Sequence, residues 1–263
     1  NATRDYPVVT IVGPRQSGKT TLCRRLFPEL AYVSLEDPDA RAYATDDPRG
    51  FLADYGEGAV LDEFQNVPSL ASYLQSEVDS RSDPGRFVLT GSENLAVSQA
   101  VSQSLAGRTA VLQLLPLSLG ELGQFDNAPT DLLEVLWTGF YPRIHDRSVR
   151  ADRWLADYVM TYVERDVRNL LGISNLEAFR SFLRHVAGRT ARELNLSALG
   201  GDVGVTHNTI RSWLSVLEAS FMCLRVPAAH PNLRKQLVKA PKLHLIDSGL
   251  LCFLLGIRTP EQL

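Results

Sequence analysis

The stretch Gly13-Pro14-Arg15-Gln16-Ser17-Gly18-Lys19-Thr20, continuing into Thr21-Leu22, constrains this chain more than any other. It follows the apolar run Val8 to Val12 and precedes a helical pattern from Thr20 to Phe27. Strand, loop and helix in that order are the setting a phosphate-binding loop requires. Triphosphate oxygens need many donors converging at short range. Glycines at 13 and 18 let the backbone turn where a side chain would clash, so amides around Ser17 to Thr21 can point at phosphate. Lys19 supplies a mobile charge for the β- and γ-phosphates, and the Thr20 hydroxyl is placed for Mg²⁺. Arg15 and Gln16 form the tip and read as solvated loop residues. Gly13, Pro14, Arg15, Gln16, Ser17, Gly18, Lys19, Thr20 and Thr21 together are the candidate nucleotide cradle.

Short apolar runs alternate with helical patterns through the first half, as in a parallel sheet covered on both faces. Strands are expected at Val8 to Val12, Tyr32 to Leu35, Ala59 to Leu61, Phe87 to Leu89 and Thr109 to Leu115. Helices are expected at Thr20 to Phe27, Asp39 to Tyr43, Leu70 to Val78 and Leu95 to Leu105, each bounded by Pro, Gly, Asp or Ser. The fold class is therefore α/β, a five-stranded and mainly parallel P-loop core.

The third run ends in Leu61-Asp62-Glu63, apolar residues followed by two acids. Alone, such a pair is a solvated turn. About 40 residues after a phosphate loop it reads as a Walker B motif, with Asp62 supporting Mg²⁺ through water and Glu63 deprotonating the attacking water. Small-molecule kinases and GTPases mostly lack that glutamate, and no Asn-Lys-x-Asp guanine signature occurs, so ATP is the expected nucleotide. The fourth run finishes on Leu89-Thr90-Gly91-Ser92. If its strand lies between the loop strand and the Walker B strand, Thr90 or Ser92 sits beside the γ-phosphate. A Thr-Gly-Ser turn without nucleotide contact is the alternative.

After Pro116 the alternation stops. Ser118 to Glu121 has capping-box spacing, Asp131 to Trp137 reads as a helix broken at Gly139 to Pro142, and Asp152 to Leu171 is the longest periodic stretch. The charges Glu164, Arg165, Asp166 and Arg168 read as a solvated or inter-helix surface. A helix over Asn175 to Ala187 follows. From Ala191 the pattern becomes helix, glycine turn at Gly204 and a second helix N-capped by Thr206, with Ile210, Trp213, Leu214 and Leu217 inward and His207, Asn208, Arg211 and Ser215 outward. Phe221 to Val226 and Lys242 to Ile246 read as strands flanking Arg234, Lys235 and Lys239, the whole forming a winged helix. Asn208 and Arg211 could reach base edges and the three wing cations phosphate. A protein-contact module is the equal alternative.

Charge limits the partner. The net charge of −3 argues against coating nucleic acid by charge alone. It is uneven: nine acids and two arginines between Glu36 and Glu63, seven bases and three acids between Thr190 and Leu243. An anionic partner should meet the C-terminal part. No apolar run approaches the roughly 18 residues of a membrane helix, and no secretory leader is expected. Cys23, Cys223 and Cys252 lie far apart in apolar patterns, which fits a reducing cytoplasm and no metal site.

In this order the segments resemble the prokaryotic AAA-type ATPases whose ATPase core precedes a domain of unknown function that starts with a winged helix. The matching stretches are Gly13 to Leu22, Leu61-Asp62-Glu63-Phe64-Gln65, Leu89 to Ser92, Leu105-Ala106-Gly107-Arg108, Pro116-Leu117-Ser118 and Lys242 to Leu251. The resemblance implies ATP with Mg²⁺ and a cytoplasmic protein; Gln65, directly after the Walker B strand, matches the family pattern and leaves open whether it senses nucleotide state. In such ATPases the finger arginine sits ahead of the fifth strand, which nominates Arg108, within one chain or on a neighbour in a homo-oligomer. An ordinary structural ion pair is the alternative. Such proteins usually continue into a restriction-endonuclease-like segment after Asp247-Ser248-Gly249-Leu250-Leu251; no nuclease carboxylates are identified here. Expected segments are an ATPase core over 1–122, a helical lid or connector over 123–189, a winged helix over 190–250 and the start of a further region over 251–263. The expected activity is Mg-dependent ATP hydrolysis moving the C-terminal part. The alternative is a nucleotide-switched DNA- or protein-binding regulator with negligible turnover.

Overall fold

A computed structural model describes residues 2–92, 103–163, 175–229, 231 and 239–263. The chain divides into two compact units, Asn1–Leu115 and Pro116–Leu263.

The first unit is built on five parallel strands: β1 (Val8–Val12), β2 (Ala31–Ser34), β3 (Ala59–Asp62), β4 (Phe87–Gly91) and β5 (Thr109–Gln113). Their spatial order is β2-β3-β4-β1-β5. The three middle strands are buried on both faces, which is why they read as near-continuous apolar runs with no alternation, Thr10 being buried within β1. β4 lies between β1 and β3, the position on which the reading of Thr90 and Ser92 depended. Because all strands run the same way, every β-strand C-terminus emerges at one sheet edge. That edge carries Gly13, Asp62 and Gly91.

Helices cover the sheet: α1 (Ala2–Asp5), α2 (Lys19–Leu26), α3 (Pro38–Asp46), α4 (Pro48–Asp54) and α5 (Leu70–Ser80). Sequence reading passed over α4. Its signal is the Asp47-Pro48 pair, an N-cap accepting from the Gly50 amide at 2.9 Å with proline at the first helical position. Most of the helix expected from Leu95 lies outside the described residues.

In the second unit the Ser118 hydroxyl and Glu121 carboxylate cap each other's backbone as a capping box around Leu119–Leu122. Helices follow at Leu132–Thr138, Pro142–Asp146 and Ala151–Tyr158. The helix expected over Asp152 to Leu171 loosens into a π-helical turn at Val159–Val163, and residues 164–174 lie outside the described set. Leu176–Ala187 presents Phe179 and Phe182 to Trp213, with ring centroids 5.3 and 5.2 Å apart. These edge contacts make one apolar core continuous from Tyr141 to Leu254. The boundary expected near residue 190 falls inside that core.

The pair Leu196–Val203 and His207–Ala219 turns at Gly204, whose φ of 78° is left-handed and glycine-favouring. Gly200 lies where Val205 passes: an added Cβ would stand 2.7 Å from the Val205 carbonyl. The second helix buries Ile210, Trp213, Leu214 and Leu217 and exposes His207, Asn208, Arg211 and Ser215. Antiparallel β6 (Cys223–Val226) and β7 (Lys242–Leu245) follow. Beside them, the segment from Ala191 to Leu194 joins β7: Ala191 N–H donates to the Leu243 carbonyl at 2.7 Å, and Leu243 N–H to that of Arg192 at 3.1 Å.

The Asp247-Ser248-Gly249 stretch has a structural reason. Asp247 caps the helix Ser248–Leu255 through the Leu250 amide at 2.7 Å and accepts from the Phe140 amide, also at 2.7 Å. Gly139 and Gly249 pack backbone to backbone: a Cβ on Gly249 would lie 2.8 Å from the Gly139 nitrogen. Asp247→Ala orphans two buried amides and is expected to destabilise the protein by about 2–4 kcal/mol in thermal unfolding. Burial raises the Asp247 carboxyl to about 6, against the lowering effect of its amide donors. A folded-state value above the unfolded one contributes stability in acid that is lost as pH rises from about 4 through 6, on the order of 3 kcal/mol. Asp247→Asn should remove that part of the pH slope of stability.

Candidate nucleotide site

β1 ends at Val12, and the chain turns at once because β5 continues alongside. The Leu114 amide bonds to the Val12 carbonyl at 2.8 Å, and a Cβ on Gly13 would stand 2.0 Å from the Leu114 carbonyl. The first glycine of the loop is therefore demanded by its neighbouring backbone. Gln16 and Gly18 take left-handed φ values of 64° and 94°. They wrap the loop so that Gly18 becomes the N-cap of α2 with no side-chain cap, leaving the first-turn amides without side-chain partners there. The Ser17 hydroxyl is buried in the loop with no hydrogen-bond partner among the described residues.

Lys19 bends back over this loop. Its Nζ donates to the carbonyls of Gly13 at 3.0 Å and Pro14 at 2.8 Å, and the side chain is buried. Burial pulls its pKa down to about 8, an effect opposed by the carboxylates of Glu63 and Asp62. A desolvated ammonium between backbone carbonyls is poised for a stronger anion.

Thr20, one residue on, faces β3. Its hydroxyl donates to Asp62 Oδ2 at 2.8 Å. Asp62 also accepts from Tyr32 OH on the same oxygen and from Thr90 Oγ1 on the other. Thr90 in turn accepts the Glu63 amide at 3.2 Å, so one buried hydroxyl ties the two acids to β4. Glu63 takes a left-handed backbone, φ 55° and ψ 47°, unusual for a non-glycine residue. The kink starts a 3₁₀ turn, Phe64–Asn66, anchored by buried Phe64, and returns Gln65 toward Glu63. Glu63 Oε2 accepts from Gln65 Nε2 and from Ser92 Oγ, the latter at 3.2 Å.

The structure thus brings together Gly13, Pro14, Ser17, Gly18, Lys19, Thr20, Asp62, Glu63, Thr90 and Ser92 at one sheet edge; Arg15 and Gln16 lie at the loop tip and Thr21 on the exposed side of α2. Tyr32 escaped sequence reading. It pairs with Val60, two residues before Asp62, so strand parity turns it to the Asp62 face. Only the register reveals this. The Arg24 guanidinium lies 3.8 Å from the Tyr32 ring centroid, and burial with the Asp62 bond raises the tyrosine to about 12.

Arg108 is placed elsewhere. Its carbonyl accepts from Val8 N–H at the start of β1, the sheet edge opposite the loop. Five strand residues separate the two edges, about 16 Å. Its guanidinium binds Asp79 bidentately, Nε to Oδ1 at 2.6 Å and Nη2 to Oδ2 at 2.9 Å, and holds the Asp79 carboxyl below its usual range. The ion pair given as the alternative is present, and Arg108 does not reach the loop of its own chain. Asn208, Arg211 and Lys239 are exposed in the second unit; Arg234 and Lys235 lie outside the described residues.

A P-loop sheet with the β3-β4-β1 order and paired acids beside the loop defines an AAA-type nucleotide-binding protein, and an AAA domain model matches residues 5–123. The chain belongs to the family defined by the domain of unknown function DUF8612, whose model matches residues 129–261. Uncharacterized proteins of Mycobacterium bovis and Mycobacterium tuberculosis are each 30% identical over 260 residues, 95% of this chain and 56% of theirs. The chain spans about half the length of these curated relatives. Among solved structures, the Walker-type ATPase of Pyrococcus abyssi shares the fold with a TM-score of 0.57 at 16% identity, over 96% of this chain and 92% of that one. Among the described residues no helix is long and apolar enough to cross a membrane.

Proposed function

We propose that this chain is a Mg²⁺-dependent ATPase. The observation that carries the reading is the linkage of Thr20, Asp62 and Glu63 through direct hydrogen bonds and the shared Thr90 hydroxyl, next to Lys19 held on the loop carbonyls of Gly13 and Pro14. The amides after Gly18 and the orphaned Ser17 hydroxyl cradle the phosphates. Lys19 exchanges two carbonyls for phosphate oxygens, gaining a charged acceptor for its buried ammonium. Thr20 and Asp62 offer the hard oxygen donors that a magnesium ion takes, and they fit it; when bound, the ion offsets charge on the β- and γ-phosphates. Glu63 accepts the proton of the attacking water, and Thr90 keeps both acids in register. Arg108, at the far edge, would serve a neighbouring subunit's nucleotide on release from Asp79, which makes a homo-oligomer the active form.

The glycine turn, the exposed helix His207–Ala219, the β6-β7 pair and the strand-like pairing of residues 191–194 support a winged-helix reading of the C-terminal part. Hydrolysis would move it against the core, in a cytoplasmic protein. Its outward Asn208, Arg211 and Lys239 suit an anionic partner, duplex DNA or an acidic protein surface.

Steady-state phosphate release tests this. Turnover is expected with ATP and Mg²⁺ and is expected to disappear with a chelator. If duplex DNA is the partner, it stimulates turnover at low salt, and Lys239→Ala lowers the salt slope of binding by about one. ATP binding with no phosphate release under any of these conditions would leave a nucleotide-switched binding protein in its place.

A further inference from the structure

The geometry points to Gln65 as a positioning residue for Glu63 and for the water that Glu63 activates, an inference that rests on the ATPase reading. Gln65 is returned to Glu63 by the left-handed kink and the 3₁₀ turn, a backbone detour that costs on the order of 1–3 kcal/mol and persists only where the surroundings enforce it. Its Nε2 donates to Glu63 Oε2 and to Ser92 Oγ, the latter at 3.2 Å. Ser92 donates to the same carboxylate oxygen, so three side chains close a ring at the end of β3 and β4.

The other end of the amide is the second observation. Gln65 Oε1 is buried with no hydrogen-bond partner among the described residues. A buried carbonyl left unpaired costs about 1–3 kcal/mol. A group serving only to brace Glu63 would need its Nε2 alone, whereas the unpaired acceptor belongs to the same amide whose nitrogen holds the Glu63 carboxylate. A water between the two donates one proton to Gln65 Oε1 and the other to Glu63, which directs its lone pair outward to the γ-phosphorus. In the step itself the water oxygen bonds to phosphorus and the bond from phosphorus to the bridging oxygen breaks. ADP leaves with that electron pair, and Glu63 takes the proton. Gln65 is unchanged at the end.

The test compares wild type, Gln65→Met, Ser92→Ala, Glu63→Gln and the Gln65→Met/Glu63→Gln double variant, reading ATP affinity, kcat and thermal midpoint. Methionine keeps the volume and removes both polar ends. Gln65→Met should bind ATP within about threefold of wild type and lose about 10- to 100-fold in kcat, the scale of a misplaced reacting group. Ser92→Ala, which leaves Oε1 in place, should lose less. In the Glu63→Gln background Gln65→Met should cost under about threefold more, because both act on one water. A kcat within twofold of wild type, or equal losses in both backgrounds, overturns the inference while the ATPase reading stands. A wild type that releases no phosphate overturns both. If the methionine variant does not fold, Gln65→Glu, which removes the donor and sets a like charge beside Glu63, is read by the same criteria and should lose more than tenfold.

Discussion

Glu63→Gln is expected to bind ATP as wild type does and to release phosphate about 10²- to 10⁴-fold more slowly, the span a lost general base commands. The substitution is nearly isosteric, and the residue's position is set by groups that survive it. The left-handed turn is held by the Glu63 amide on Thr90 and by buried Phe64, and Ser92 and Gln65 find an amide where they found a carboxylate. Lys19, Thr20 and Asp62 are untouched. Binding and chemistry should therefore separate: unchanged affinity in a nucleotide titration, collapsed single-turnover rate. A variant turning over within tenfold of wild type would remove Glu63 from the proton transfer and leave Asp62 or solvent in its place.

Lys19→Ala should do the opposite, weakening ATP binding about 100-fold or more and abolishing the rise in thermal midpoint that nucleotide confers. The argument is one of exchange. In the free protein the ammonium is buried between the Gly13 and Pro14 carbonyls, and its lowered pKa near 8 records the cost of desolvation. Removing it orphans two carbonyls but also removes a poorly solvated charge, so the stability of the free protein should change by no more than about 1 kcal/mol. With phosphate in the loop, no alanine atom replaces the charge. Equal nucleotide-induced stabilisation in variant and wild type would contradict the cradle. A large loss of midpoint without nucleotide would mean that Lys19 is there to brace the loop.

The two cases show what the residues disclosed unaided. Lys19, Thr20, Asp62 and Glu63 were legible because their spacing along a strand-loop-helix and a strand end is dictated by local geometry, which one chain segment suffices to specify. Thr90 was legible once the strand order was supposed. Tyr32 was not, because its hydrogen bond to Asp62 depends on which residue of β2 stands opposite Val60, a register set across the sheet. Gly13 was read as a place where a side chain would clash with the turn around phosphate; the structure adds that the Leu114 carbonyl already forbids a side chain there. Gln65, two residues after Glu63, was legible as part of the motif but not in its role, because only the left-handed kink brings its amide back to the carboxylate. The long helix expected from Asp152 shows the reverse limit, since periodicity at Leu155, Tyr158 and Val159 held while the hydrogen-bond pattern widened at Val159.

The bond from the Phe140 amide to Asp247 spans 107 residues of chain. During synthesis the first unit can close its sheet as soon as Gln113 is clear of the ribosome, whereas the Gly139 loop stays without its carboxylate until Asp247 emerges. The nucleotide-binding half is thus expected to mature first, and nascent chains stalled before Asp247 should resist protease over residues 5–92 and 103–115 while remaining cleavable beyond Pro116.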